Sequence, residues 1–296
     1  MTTYPFTQVD AFTDKPLAGN PCAILFDTDD LSDGQMLAIA KEMNLSETAF
    51  VRHSDIADFG VRYFTPAEEI PLAGHPTIAT THALIDDGRL SLTDPKTSIT
   101  FELQVGPIEI EIFAEDGRPP RIVMSQKKPQ FGAIHNPAQV MPAFGLSPDD
   151  LWPDAPIQTV STGTPQLMIP LRGLEALRRA QVNIPVYAAL RETADFFSPH
   201  LFCLEGVTPN GRTFARHFGL PPDTMEDPFT GSATGGMAAY LWHYGLIDQP
   251  VFVAEQGYWL NRPGQAFVEV VGPPDDMETV KVGGTAVTIL RGELTI

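Results

Sequence analysis

Two cysteines, Cys22 and Cys203, are all that the 296 residues contain. That is too few for a disulfide framework, and neither lies in a CxxC or Cys/His cluster of the kind that holds zinc. Positive charge is also scarce: 19 Lys and Arg stand against 37 Asp and Glu, a net charge of −18. No basic run exceeds Lys127-Lys128 or Arg178-Arg179. Phosphate backbones and anionic membrane surfaces both require a basic stripe, so neither nucleic acid nor membrane is expected as a partner. No apolar run approaches the roughly 18 residues of a membrane span. The opening MTTYPFTQVDAF has neither the basic n-region nor the apolar h-region of a signal peptide. A cytoplasmic protein is expected. There is no GxSxG elbow, and Gly283-Gly284 fits neither a dinucleotide-binding nor a P-loop pattern. No nucleophile–base pair is recognisable from spacing.

What is present is a globular composition, 43% hydrophobic, with 28 prolines that favour turns and strand ends over long helices. At about 150 residues per domain the length suggests two domains. Short alternating apolar runs read as strands: Tyr4 to Phe12, Cys22 to Phe26, Thr48 to Arg52, Phe59 to Thr65, Thr97 to Leu103 and Ile108 to Phe113. Further runs follow at Arg121 to Met124, Gln166 to Leu171, Leu201 to Leu204, Val251 to Ala254, Phe267 to Val271 and Ala286 to Leu290. Ser32-Asp33-Gly34-Gln35 has the form of a capping box ahead of Met36, Leu37, Ile39, Ala40 and Met43. Pro76 to Leu84 and Ala233 to Trp242 predict two helices polar on no face, which is the pattern of buried helices. The fold class is α+β with two central helices.

An internal repeat organises these elements. Arg62-Tyr-Phe-Thr-Pro leads to Pro71-Leu-Ala-Gly74-His75-Pro-Thr77 and a helix; Arg212-Thr-Phe-Ala-Arg leads to Pro228-Phe-Thr-Gly231-Ser232-Ala-Thr234 and a helix. Ahead of these, Ala18-Gly-Asn-Pro21 matches Thr162-Gly-Thr-Pro165. Two similar half-domains are expected, residues 1–117 and 118–278, with a C-terminal strand near 279–296 returning to the first. Glu115 to Pro120, EDGRPP, reads as the linker. Each half presents a Gly at the mouth of a buried helix, where the first N–H groups have no intrahelical partner. Two such mouths facing one cleft would hold a carboxylate, or stabilise an enolate, without a basic side chain. The alternative is a pair of ordinary helix caps.

Three side chains near these mouths could carry chemistry. Glu47 stands just before an apolar strand, where a glutamate is ordinarily solvated. His75 sits at the first helix start, where it could cap the helix or reach a ligand. Asp227 sits close to the second helix start, where a carboxylate also complements the helix dipole.

At these residues the chain resembles the PhzF-like family, named for phenazine biosynthesis, which shares the diaminopimelate epimerase fold. The resemblance covers nearly the whole chain. It is carried by Val9-Asp10-Ala11-Phe12-Thr13, Gly19-Asn20-Pro21, Asn44-Leu45-Ser46-Glu47-Thr48-Ala49-Phe50, Tyr63-Phe64-Thr65-Pro66, Gly74-His75-Pro76-Thr77 and Glu226-Asp227-Pro228-Phe229-Thr230-Gly231-Ser232-Ala233. It implies two pseudo-symmetric halves, each a curled, mostly antiparallel sheet around a central helix. It also implies isomerisation of a small carboxylate such as trans-2,3-dihydro-3-hydroxyanthranilate, without metal or cofactor. Glu47 would then shuttle a proton, which suits a carboxylic acid whose pKa is raised in a closed pocket. His75 and Asp227 would hold the substrate's polar groups, and the Gly74-His75 and Gly231-Ser232 backbone would hold its carboxylate. Homodimers are usual in that family. A non-catalytic binding protein on the same fold is the other reading.

Related racemases use two thiols, one before each helix-mouth Gly, where this chain carries Ala73 and Thr230; two-thiol racemisation is therefore not expected. One departure stands out. The family often has Pro after Arg-x-Phe-Ala, whereas this chain has Arg216-His217, so that part of the pocket is expected to differ.

Overall fold

A computed structural model describes residues 1–114 and 117–296. The first run of elements is β1 (Thr3–Ala11), β2 (Asn20–Leu25), α1 (Asp33–Met43), β3 (Glu47–Arg52), β4 (Phe59–Phe64), β5 (Glu69–Ile70), α2 (Gly74–Asp86), β6 (Lys96–Leu103), β7 (Gly106–Phe113) and β8 (Arg121–Ser125). The chain continues through β9 (Gln130–His135), α3 (Pro137–Val140), β10 (Ile157–Ser161), β11 (Pro165–Pro170), α4 (Leu174–Arg179) and α5 (Ile184–Glu192). It ends with β12 (Ser198–Cys203), β13 (Thr213–Phe218), β14 (Glu226–Asp227), α6 (Gly231–His243), β15 (Val251–Gln256), β16 (Gly264–Val271), β17 (Thr279–Gly284) and β18 (Ala286–Thr295).

The strands pair in one order that runs twice. First come β18–β1–β2, then β2 parallel to β3, β3–β4, β4 with β5 and parallel to β6, and β6–β7–β8. Then come β9–β10–β11, β11 parallel to β12, β12–β13, β13 with β14 and parallel to β15, and β15–β16–β17. An antiparallel β8–β17 pair joins the two into one continuous sheet.

The strand sequences explain which face is buried. In β6, KTSITFEL, every second residue from Ile99 is buried, and β16 alternates likewise, because successive side chains leave a strand on opposite faces. α2 and α6 are buried along nearly their whole length, and their Ala, Gly and Thr residues let strands approach closely. At Gly235 a Cβ would fall 1.8 Å from Gln126 Oε1, so a larger residue would displace the Gln126 side chain. α1 forms where the capping box predicts: the Ser32 hydroxyl accepts from the Gln35 N–H, and Gln35 Oε1 accepts from the Ser32 N–H.

Three features depart from the sequence reading. Strands β5, β9, β10, β13, β14 and β17 and helices α3, α4 and α5 were not predicted. β13 (TFARHF) is broken by Arg216 and His217, β17 ends in Gly-Gly, and β9 lies largely exposed. EDGRPP, expected as the linker, falls between β7 and β8, which pair antiparallel with Phe113 opposite Arg121. Residues 115–116 of it lie outside the described residues. Lastly, Arg62 corresponds to Arg216, not Arg212. Each pairs through two nitrogens with a glutamate on the next short strand, Arg62 with Glu69 and Arg216 with Glu226.

Candidate active site

The two helix mouths touch. A Cβ built on Gly74 would lie 2.8 Å from Gly231 Cα, so only glycine permits this approach. Ala73 and Thr230, which precede α2 and α6, give no side-chain cap. The N–H groups of Gly74, His75, Gly231 and Ser232 therefore have no acceptor among the described residues. Side chains hold the mouths in place from behind: Gln126 Nε2 donates to Gly231 O at 2.9 Å, and Gln256 Oε1 accepts from the Thr230 N–H at 3.1 Å. Phe12 and Phe229 stack alongside with ring centroids 4.3 Å apart.

A cavity of about 480 Å³ opens above these N–H groups. Every residue named in advance lines it: Glu47, Gly74, His75, Asp227, Gly231 and Ser232. Glu47 arrives because α1 ends at Asn44 in the left-handed conformation (φ 51°), which turns the chain into β3. Glu47 is the first residue of that strand, with its side chain 17% exposed. Its Oε2 lies 3.3 Å from His75 Nε2, and apart from each other neither buried atom has a partner among the described residues.

Asp227 is held by many groups. Asn20 Nδ2 donates to its Oδ1 at 2.8 Å and to Phe229 O at 2.8 Å, and lies 3.0 Å from His75 Nδ1. The Thr230 hydroxyl donates to Asp227 Oδ2 at 2.5 Å. Asp227 is thus no helix cap but the centre of a network linking the two runs of the fold. Sequence reading had quoted Asn20 and Ser46 only as motif residues, and Thr230 also as the place of an absent thiol. Thr230 lies three positions from Asp227, whereas Asn20, 207 positions away along the chain, is brought there by tertiary structure.

Burial decides the protonation states. Burial, reinforced by the negative charges of Asp227 and Asp223, holds the Glu47 carboxyl well above the usual range. Burial also raises Asp227, against the hydrogen bonds of Thr230, Ser46 and Asn20. His75 is pushed down to about 3 by burial, partly offset by the Pro21 carbonyl, and stays neutral. The resting site sets a carboxyl that holds its proton more tightly than usual against a neutral imidazole. Glu47, His75 and Asp227 each offer a ligand atom, all within 4.8 Å of one another, and so also form the one group among the described residues able to hold a metal ion. The thiols are elsewhere: Cys22 and Cys203 are buried, and neither lines the cavity.

The Glu47 shift has a measurable sign. Its folded pKa exceeds its unfolded value, so the fold loses stability as pH rises from about 4.5 toward the folded pKa. The neutral Glu47→Gln variant should therefore outlast the parent in urea, with a gap that widens as pH rises above about 4.5, at up to ~1.4 kcal/mol per pH unit. A solvated glutamate would give a pH-independent difference within about 0.5 kcal/mol.

The family model for phenazine biosynthesis-like proteins matches residues 9–292. The chain belongs to that family. Among relatives of the PhzF-like group, a trans-2,3-dihydro-3-hydroxyanthranilate isomerase of Pseudomonas fluorescens is 34% identical over 297 residues, covering 98% of this chain and 99% of the relative. An uncharacterised isomerase of Bacillus subtilis is 34% identical over 282 residues, covering 95% and 94%. The crystal structure of a Bacillus anthracis PhzF-family protein superimposes with a TM-score of 0.89 at 33% identity, over the whole of both chains. A hydroxyproline epimerase from Agrobacterium vitis shares the fold with a TM-score of 0.70 at 11% identity. The PhzF-like chain is thus an α+β enzyme of the isomerase class. Among the described residues no helix is long and apolar enough to cross a membrane.

Proposed function

We propose that this enzyme moves a proton between two carbons of a small carboxylate-bearing molecule, with Glu47 as the carrier and no metal or cofactor in the step. Trans-2,3-dihydro-3-hydroxyanthranilate, the compound in the relatives' names, is the leading substrate. The observation that supports this best is the buried Glu47 carboxyl, its pKa raised, set 3.3 Å from a neutral His75, beside four backbone N–H groups with no acceptor among the described residues. Those N–H groups of Gly74, His75, Gly231 and Ser232 would take the carboxylate, helped by the positive ends of two helices. His75 and Asp227 would hold the remaining polar groups.

The step balances on one residue. Glu47–H gives its proton to one carbon of the unsaturated acid, and the double bond shifts. The resulting carboxylate takes a proton from a second carbon and ends as it began. A raised pKa suits both roles, since the group is a fair acid and, once ionised, a stronger base than a solvated carboxylate. We further propose that the two runs of the fold are half-domains whose boundary falls after β8, with β18 belonging to the first.

The test is incubation with trans-2,3-dihydro-3-hydroxyanthranilate in deuterium oxide, followed by proton NMR with and without EDTA. Isomerisation with one deuterium incorporated, unchanged by EDTA, is the expected result. Thermal stabilisation by the compound without exchange would mean binding alone. Loss of turnover on chelation would place a metal on Glu47, His75 and Asp227.

A further inference from the structure

One wall of the cavity carries a second buried polar cluster that the proton transfer does not use. Ser198, on β12, corresponds to Glu47: β11 runs parallel to β12 with Gln166 beside Ser198, as β2 runs parallel to β3 with Cys22 beside Glu47. Ser198, Gln166 and His217 all line the cavity, at 3%, 2% and 6% exposure. His217 is the residue at which the chain departs from the family pattern. It joins Ser198 across 19 positions, a pairing that spacing did not reveal.

The protons in this cluster can be placed. The Ser198 hydroxyl donates to Gln166 Oε1 at 2.7 Å. Its 2.7 Å contact with His217 Nε2 therefore requires the imidazole to be the donor. His217 Nδ1 is then bare and accepts from His200 Nδ1 at 3.3 Å. Both rings are buried and neutral, His217 being pushed down to about 3. Two things remain for a ligand, a lone pair on Ser198 Oγ and the Gln166 amide N–H groups, which have no partner among the described residues. Thr164 Oγ1, two residues before Gln166, is likewise buried, unpartnered and on the cavity wall.

An acceptor next to a donor suits a group that is both. A carboxylate would meet the Ser198 lone pair, and an ammonium would meet the Gln166 N–H. A hydroxyl satisfies both. We propose that Ser198 and Gln166, oriented by His217, form a recognition point for an uncharged hydroxyl of the substrate and set which carboxylate-bearing molecule the enzyme accepts. The inference rests on the reading above, in which the helix mouths hold the carboxylate. It excludes an acyl-transfer role for the Ser198–His217 pair, because the hydroxyl proton goes to Gln166 and the serine is not activated.

Benzoate and its 2-, 3- and 4-hydroxy derivatives, of a size for this cavity, test it by titration calorimetry. At least one hydroxybenzoate should bind the parent roughly three- to tenfold tighter than benzoate, the effect of one neutral hydrogen bond. Ser198→Ala and Gln166→Leu should bring that ratio to one with benzoate affinity unchanged, and Ser198→Thr should restore it. A melting curve on each variant confirms the fold. A ratio of one in the parent, or a ratio that persists in folded Ser198→Ala, would overturn the proposal. So would labelling of Ser198 by a fluorophosphonate. Failure of the isomerase reading looks different: the parent then neither isomerises nor labels trans-2,3-dihydro-3-hydroxyanthranilate in deuterium oxide, while the hydroxyl preference stands.

Discussion

In deuterium oxide, the Glu47→Gln variant should bind its substrate and leave it unlabelled. The amide matches the carboxyl in size and can still lie against His75 Nε2, now 3.3 Å from Glu47 Oε2. It cannot pass a proton at a useful rate. Affinity should survive, because the helix mouths, His75 and Asp227 are untouched. Turnover should fall by about 10²–10⁴-fold, the usual contribution of a general acid–base. The parent's pH–rate profile should show a limb above the ordinary carboxylate range, set by burial and by Asp227 and Asp223, and this limb should vanish in the variant. Full turnover by Glu47→Gln would move the proton carrier to Asp227 or His75.

A single methyl group at the helix mouth should be nearly as damaging. In Gly74→Ala the new Cβ falls 2.8 Å from Gly231 Cα and 2.9 Å from the Ser232 nitrogen, in backbone that cannot rotate aside. The expected stability loss is roughly 1–3 kcal/mol, as for other overpacked sites. Parting the mouths would also spoil the convergence of four N–H groups, so kcat/KM should drop by at least about 10²-fold, the scale of one lost oxyanion donor. Gly34→Ala is the control. It lies in α1 with nothing within 4 Å of a new Cβ, and should stabilise by about 0.5–1 kcal/mol through helix propensity. If Gly74→Ala behaved like Gly34→Ala, the mouths would have no part in binding.

The parts of the site legible in the sequence were those written locally. Gly74-His75 and Gly231-Ser232 announced themselves because a small residue at the start of an unpolar helix is a local pattern, and the pattern occurs twice. Glu47 stood just before an apolar strand, where a glutamate is ordinarily solvated, and its role was readable only through the resemblance to the family. Asn20 was quoted but given no role, since its bonds to Asp227 and Phe229 span more than 200 residues. Ser198 was passed over, and His217 was noted only as a departure from the family pattern, for a related reason: they sit on neighbouring strands, and polar residues such as Arg216 and His217 erase the alternation that marks a strand. Arg216 is satisfied by Glu226 and by the carbonyls of Leu177 and Ala180, none of which spacing reveals.

The pairing of β1 with β18 sets Thr3 opposite Thr295. On the ribosome, β1 and β2 emerge first but must wait for the whole intervening chain before β1 gains its second neighbour. Until then β1 is an open edge with Tyr4 and Val9, both buried in the finished protein, short of cover. With such distant partners, folding is dominated by slow, non-local closure. The later run, β9 to β17, pairs within itself and with the earlier β8, and waits on nothing among the strands that follow it here. β1 precedes every other described strand yet is the last of its run to gain both neighbours, and chaperone dependence during synthesis should concentrate on it.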